Sequence, residues 1–207
     1  ALHDVDIDAA GLADFGKPGK YFQRQFERWS GQYRASELER IEPMETLLAW
    51  LATNLPDDDG RIALVHGDYR LDNMIYDASA PRAIALLDWE LSTLGHPFAD
   101  VGYLCMQLRM PQQVGTMSGL RGMELEELGI PDEAGLIQRY CELAGIDDIP
   151  NPAFYIAFSF FRLAAIIQGV AKRAVSGNAS NEDAARVGTF VEPIAGLALE
   201  AIEHSRP

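Results

Sequence analysis

Between Arg61 and Leu87 the chain changes period. On either side, apolar residues recur at helical spacings. Inside this stretch three short β-prone runs follow one another: Arg61 to Val65, Asn73 to Tyr76 and Ala83 to Leu87. The turn residues Asp77-Ala78-Ser79-Ala80-Pro81 join the last two runs as a hairpin. Such a chain folds as a mostly helical α+β domain in which a small β island carries loops. Polar residues gather where the runs begin and end. His66-Gly67-Asp68 follows the first, Asn73 opens the second and Asp88 ends the third, so strand ends are expected to bring all three sites to one edge of the island.

The flanking helices are legible from their stripes. Residues 1–19 read as irregular, punctuated by Gly11, Gly16, Pro18 and Gly19. Phe22, Phe26 and Trp29 predict a helix from Tyr21 to Tyr33, and Pro43 opens a second one running to Leu55. A loop is expected from Leu91 to Pro97, a buried helix from Phe98 to Leu108 and a mobile connection from Pro111 to Gly122. Three further helices are expected, over Pro131 to Ala144, Pro152 to Ser176 and Glu182 to Ile202. Three segments result: a helical lead-in over 1–60, the site-bearing segment 61–104 and a helical subdomain over 105–207, all within one domain.

Charge narrows the function classes. With 31 acidic against 17 basic residues the net charge is −14, opposite to the basic footprint that nucleic acid or an anionic membrane surface requires. The greasy stretch Ala153 to Ala171 contains Arg162 and Gln168. A central arginine costs roughly 2.5–3.5 kcal/mol on membrane insertion scales, so this reads as a buried core helix. Arg162 there needs a partner: an acid of this chain in a buried ion pair, the favoured reading, or an anionic group of a substrate in a cleft. Cys105 and Cys141 form no CxxC pair, and the N-terminus is polar and acidic. A cytoplasmic protein with free thiols is expected.

One base and two oxygen ligands suit phosphoryl transfer, which requires an oriented, deprotonated nucleophile and a divalent cation on the phosphates. Mg²⁺ takes hard oxygens, commonly one or two carboxylates completed by phosphate and water. Asp68 can serve as base, while Asn73 and Asp88 can hold the metal. His66 and Gly67 support the loop; glycine at 67 permits an unusual backbone angle. Asp100, at the start of a helix, can cap backbone donors or brace the loop from below. Glu90 is a candidate to face the substrate. Arg70 suits a surface ion pair better than a phosphate contact, and Asp72 a solvated or loop-bracing role.

His66-Gly67-Asp68-Tyr69-Arg70-Leu71-Asp72-Asn73, followed by Leu87-Asp88-Trp89-Glu90 and His96-Pro97-Phe98-Ala99-Asp100, resembles the catalytic segment of the aminoglycoside phosphotransferase and choline kinase-like family, relatives of protein kinases. The YRLDN and LDWE details are similar to the subgroup fused to acyl-CoA dehydrogenases. The resemblance implies the C-terminal, catalytic lobe of a protein kinase-like fold. It implies ATP and Mg²⁺ as cofactors and the hydroxyl of a small molecule as acceptor. By residue it implies Asp68 as base, Asn73 and Asp88 as Mg²⁺ ligands, Asp100 as a brace and Leu87 as the floor of the adenine-nucleotide site. The acceptor stays open among an aminoglycoside, a choline-like cation and a hydroxyacyl thioester or similar acid.

The family clamps ATP with an N-terminal lobe. No glycine-rich loop or strand-borne lysine precedes Leu64, and Lys17 and Lys20 flank Pro18-Gly19. The chain therefore reads as a catalytic lobe without its nucleotide-clamping partner, inactive alone, with an exposed cleft face open to association, including a homodimer. Two alternatives stand beside this reading: a silent lobe that acts as a binding module, and a metal-dependent phosphohydrolase that uses Asp68 and Asp88 without nucleotide.

Overall fold

The computed structural model describes residues 1–113, 118–176 and 187–204. Six α-helices are present among them: α1 (Tyr21–Ser36), α2 (Glu42–Thr53), α3 (Phe98–Arg109), α4 (Glu133–Ala144), α5 (Pro152–Val175) and α6 (Val191–Glu203). Four short strands accompany them: β1 (Ala63–Val65), β2 (Met74–Tyr76), β3 (Ala83–Leu86) and β4 (Thr93–Gly95). Single 3₁₀ turns cover Leu2–Asp4, Leu71–Asn73, Trp89–Leu91 and Gly188–Phe190. The result is a mostly helical α+β lobe.

α5 is the axis of the lobe. Pro152 lies at its first turn, where a missing N–H costs nothing. Phe154, Phe160, Phe161, Ala157 and Ala164 are at most 1% exposed, because α1, α2, α3 and α6 surround the helix. It is long and apolar enough to cross a membrane, yet most of that stretch is buried inside the fold. Gly102 allows α3 to approach it: a Cβ there would lie 2.5 Å from the Tyr155 carbonyl oxygen. Gln168, polar within this greasy helix, donates from Nε2 to the carbonyl of Ser36 at 3.0 Å and so satisfies the end of α1.

The β segments depart from expectation. The three runs do not form one island. β2 pairs with β3 as a hairpin, with Met74 opposite Leu86 and a bulge between Ile75 and Tyr76. β1 pairs instead with β4, with Val65 opposite Thr93 and Ala63 opposite Gly95. β4 falls within the stretch Leu91 to Pro97 that was expected to be a loop. Leu94 and Gly95 are buried, so their backbone groups require partners, and β1 supplies them. A strand of three residues is too short to announce itself by period; its partner, about thirty residues upstream, determines it.

Pro111 to Gly122 was expected to be mobile. Gly119, Leu120 and Arg121 donate backbone bonds to Pro111, Gln107 and Met110, which tie its two ends together; residues 114–117 lie outside the described residues. The last helix was expected from Glu182; residues 182–186 also lie outside them, and from Gly188 a 3₁₀ turn leads into α6.

Candidate active site

β1 delivers His66, Gly67 and Asp68 into a loop closed by buried groups. His66 is fully buried. Its Nε2 lies 2.8 Å from the carbonyl of Leu87, and its Nδ1 lies 3.3 Å from the N–H of Asp68. The tautomer protonated on Nε2 satisfies both contacts. Gly67 has φ 81°, and a Cβ there would collide with the Leu91 carbonyl oxygen, so the backbone demands glycine.

Asp100, 1% exposed in the first turn of α3, accepts from the N–H of His66 at 2.8 Å and of Gly67 at 2.9 Å. His3 Nε2 lies 3.1 Å from the same carboxylate and His3 Nδ1 3.0 Å from the Tyr140 hydroxyl.

Asp68, with a side chain 16% exposed, accepts from Asn73 Nδ2 at 2.8 Å, and Asn73 also donates to the Asp68 carbonyl at 2.9 Å. Arg70 pairs with Asp68 at 3.5 Å and with Asp72 at 3.6 Å. Donation by the Asn73 amide nitrogen leaves its carbonyl oxygen available to a cation. Just before β2, the backbone carbonyl of Asn73 accepts from the N–H of Leu87, the residue after β3, at 2.8 Å, which places Asp88 one residue further on.

Asp88 is exposed and left-handed, with φ 63° and ψ 64°. That conformation is costly for a side chain and recurs at functional sites. Among the described residues its carboxylate has no hydrogen-bond or ion-pair partner, and no group of three or more His, Cys, Asp or Glu gathers around a metal position. The protein ligands on offer are the Asn73 carbonyl oxygen and the Asp88 carboxylate. This small, hard set suits Mg²⁺ completed by phosphate and water.

Asp68, Asn73 and Asp88 thus arise from two separate sheets, joined by the His66–Leu87 and Asn73–Asp68 bonds. Leu87 is half exposed beside them. Glu90, on the Trp89–Leu91 turn, lines a cleft of about 220 Å³ with Arg28, Trp29, Ser92 and Arg162. Arg162 does not make the ion pair expected of it. Among the described residues no acid contacts it; its guanidinium lies 5.5 Å from the Trp29 ring and 5.8 Å from that of Tyr103, and its Nε is buried without a hydrogen-bond partner. Aromatic faces take the place of a carboxylate. A larger groove of about 360 Å³ reaches Tyr69 and Asp100 but none of Asp68, Asn73 and Asp88.

Sequence reading missed three contributors. Tyr103 faces Asp68: burial first, and then the neighbouring Asp68 charge, push the phenol above its usual range. Gln107 Oε1 accepts from the N–H of Leu71 at 3.1 Å. With Asp100 they form a polar stripe at i, i+3 and i+7 on α3, a signal present in the sequence as one polar face of an otherwise apolar helix. His3 carried no such signal.

A sequence model described as "Phosphotransferase enzyme family" matches residues 1–146. The chain is 47% identical over 199 residues to the mouse protein named acyl-CoA dehydrogenase family member 10, covering 96% of this chain and 18% of that protein. It is 40% identical over 200 residues to human acyl-CoA dehydrogenase family member 11, covering 96% of this chain and 25% of that one. It therefore spans a quarter or less of the length of these curated relatives. A crystal structure from Ralstonia eutropha JMP134, described as a "putative aminoglycoside phosphotransferase", superposes over the whole chain and 63% of its own with a TM-score of 0.90 and 45% identity. A macrolide 2'-phosphotransferase type I shares the fold at a TM-score of 0.60 and 18% identity, over 92% of this chain and 55% of its own.

Proposed function

Since this chain belongs to the phosphotransferase enzyme family, we propose that it carries the base and metal-binding side of an ATP- and Mg²⁺-dependent kinase that phosphorylates the hydroxyl of a small molecule. The observation that carries this reading is the 2.8 Å bond from Asn73 Nδ2 to Asp68. One contact orients the base and turns the Asn73 carbonyl oxygen towards a ligand role beside Asp88.

In the proposed step the acceptor oxygen attacks the γ-phosphorus, the bond to the ADP oxygen breaks, and Asp68 receives the hydroxyl proton. Asn73 and Asp88 would hold Mg²⁺, which neutralises charge on the phosphates. Asp100 keeps the loop backbone in place through His66 and Gly67. Arg70 and Tyr103 border the Asp68 carboxylate.

The β2–β3 hairpin supports a nucleotide-side role for the face above this centre. Ile75, Ile84 and Leu87 are all more than 40% exposed, and a two-stranded hairpin is marginal in water unless something covers it. We propose that adenine nucleotide and a clamping half lie over these residues.

The test is Mg-ATP-dependent turnover by the native polypeptide that contains this chain, against a panel of hydroxylated acceptors: aminoglycosides, choline, hydroxycarboxylates and hydroxyacyl thioesters. One panel member is expected to yield a phosphate ester with release of ADP. Asp68→Asn is expected to lower that turnover by about 10²–10⁴-fold. Turnover that survives this substitution would remove Asp68 as base.

A further inference from the structure

The cleft beside the catalytic loop holds two arginines on one indole. The Arg28 guanidinium lies 5.1 Å from the Trp29 ring centroid and that of Arg162 5.5 Å from it. Trp29 is itself buried and fixed, with Nε1 donating to Gln25 Oε1 at 3.0 Å. Neither arginine has an acidic partner among the described residues, in a chain with 31 carboxylate side chains. Glu90 lines the same cleft without pairing with either. The local balance is two positive charges to one negative, against a net charge of −14 for the chain. The Arg162 Nε, buried and unpartnered, is a donor whose bond is unmade. Buried donors normally find acceptors, and an arginine fork matches carboxylate or phosphate oxygens.

The cleft borders the loop that carries Asp68. Leu91, one of its walls, has its carbonyl against Gly67, and Ser92 Oγ donates to the Trp89 carbonyl at 2.6 Å to hold that wall in place. Arg162 also packs on the Tyr103 ring, whose hydroxyl faces Asp68. The guanidinium and the base are therefore separated by a single aromatic ring.

We propose that Arg28 and Arg162 form an anion-binding subsite for the phosphoryl acceptor, which takes a carboxylate or phosphate group of a substrate whose hydroxyl lies several bonds away, at Asp68. The proposal rests on the phosphotransferase reading and adds the acceptor's charge: an anionic hydroxy compound in place of a polycationic one. Glu90 opposes acceptors that carry a second negative charge next to the first.

The test follows the Arg162 Nε–Hε resonance in ¹H–¹⁵N spectra of this chain, assigned by its disappearance in Arg162→Lys. The titrants are inorganic phosphate, 3-hydroxybutyrate and, as a cationic control, choline. Phosphate or the hydroxycarboxylate is expected to move this resonance saturably, and the tighter of the two identifies the anion class. Choline is expected to leave it in place. Arg28→Ala, at an exposed position where folding is not at stake, is expected to weaken the anion by roughly tenfold. Two outcomes overturn the proposal: a resonance that neither anion moves, and an affinity that Arg28→Ala leaves unchanged. The titration contains neither nucleotide nor Mg²⁺. A saturable anion shift together with absent Mg-ATP turnover in the native polypeptide would count against the kinase reading alone and leave the subsite standing.

Discussion

The imidazole of His66 reaches the backbone carbonyl of Leu87 at 2.8 Å across 21 residues of chain. This bond joins the β1–β4 pair to the β2–β3 hairpin, which share no strand. The proposed base, Asp68, and the proposed metal ligands, Asn73 and Asp88, rest on opposite sides of the junction, so their relative position depends on it.

Substitution at His66 tests the junction. His66→Ala would orphan the Leu87 carbonyl and the Asp68 N–H and leave a cavity. A cost of about 1–3 kcal/mol for each buried unpaired group is expected, read as a lower denaturation midpoint in urea. His66→Gln, which retains a donor, should recover part of the loss.

Asp100 is the second anchor. Asp100→Ala leaves the N–H groups of His66 and Gly67 without an acceptor inside the protein. Each charge-assisted bond contributes about 1.5–3 kcal/mol. A drop of several kcal/mol in unfolding free energy is expected, with Asp100→Asn intermediate. Hydrogen exchange at the Gly67 amide should accelerate well beyond that at Phe160 in the core of α5.

Asp88 should show a conflict between stability and function. Its left-handed backbone suits glycine, so Asp88→Gly is expected to leave stability unchanged or raise it by up to about 1 kcal/mol. The same change removes a carboxylate from the proposed metal position. Mg²⁺-dependent nucleotide binding should weaken in calorimetry, while the melting temperature holds or rises.

His96 should give the fold a pH dependence near neutrality. Burial, the largest influence, lowers its imidazole below the ordinary 6.5, and Arg61 acts in the same direction; Asp59 and Asp58 oppose them. Its Nδ1 accepts from the N–H of Phe98 at 3.2 Å, a bond that the protonated ring cannot make. The unfolded chain therefore binds the proton more readily than the folded one. Stability is fully present above the unfolded value and is lost as pH falls through 6.5 towards the folded value. Melting temperatures measured between pH 8 and pH 5 should decline on the acid side, and more shallowly in His96→Gln.

Much of this was legible beforehand for a local reason. Phe22, Phe26 and Trp29 mark α1, and Leu47, Leu48 and Leu51 mark α2, because a helix buries one stripe. The spacing from His66 through Asp88 marked a candidate site because its residue types are uncommon together. β4 was illegible, since three residues carry no period. The partner of Arg162 was misread because an ion pair is the usual answer for a buried charge; the aromatic faces of Trp29 and Tyr103 come from two other helices.

The sequence by itself determined the helical stripes, the identity of the residues proposed to bear chemistry and their order along the chain, all of which are local properties of adjacent side chains. Only the tertiary structure decided which strand pairs with which, that Asp100 and His66 lock the loop, and that Arg28 and Arg162 share one indole with no carboxylate partner among the described residues. Those outcomes depend on closure between distant segments: a buried donor or charge takes whatever partner the packed core brings within about 3 Å, and no local pattern encodes that choice.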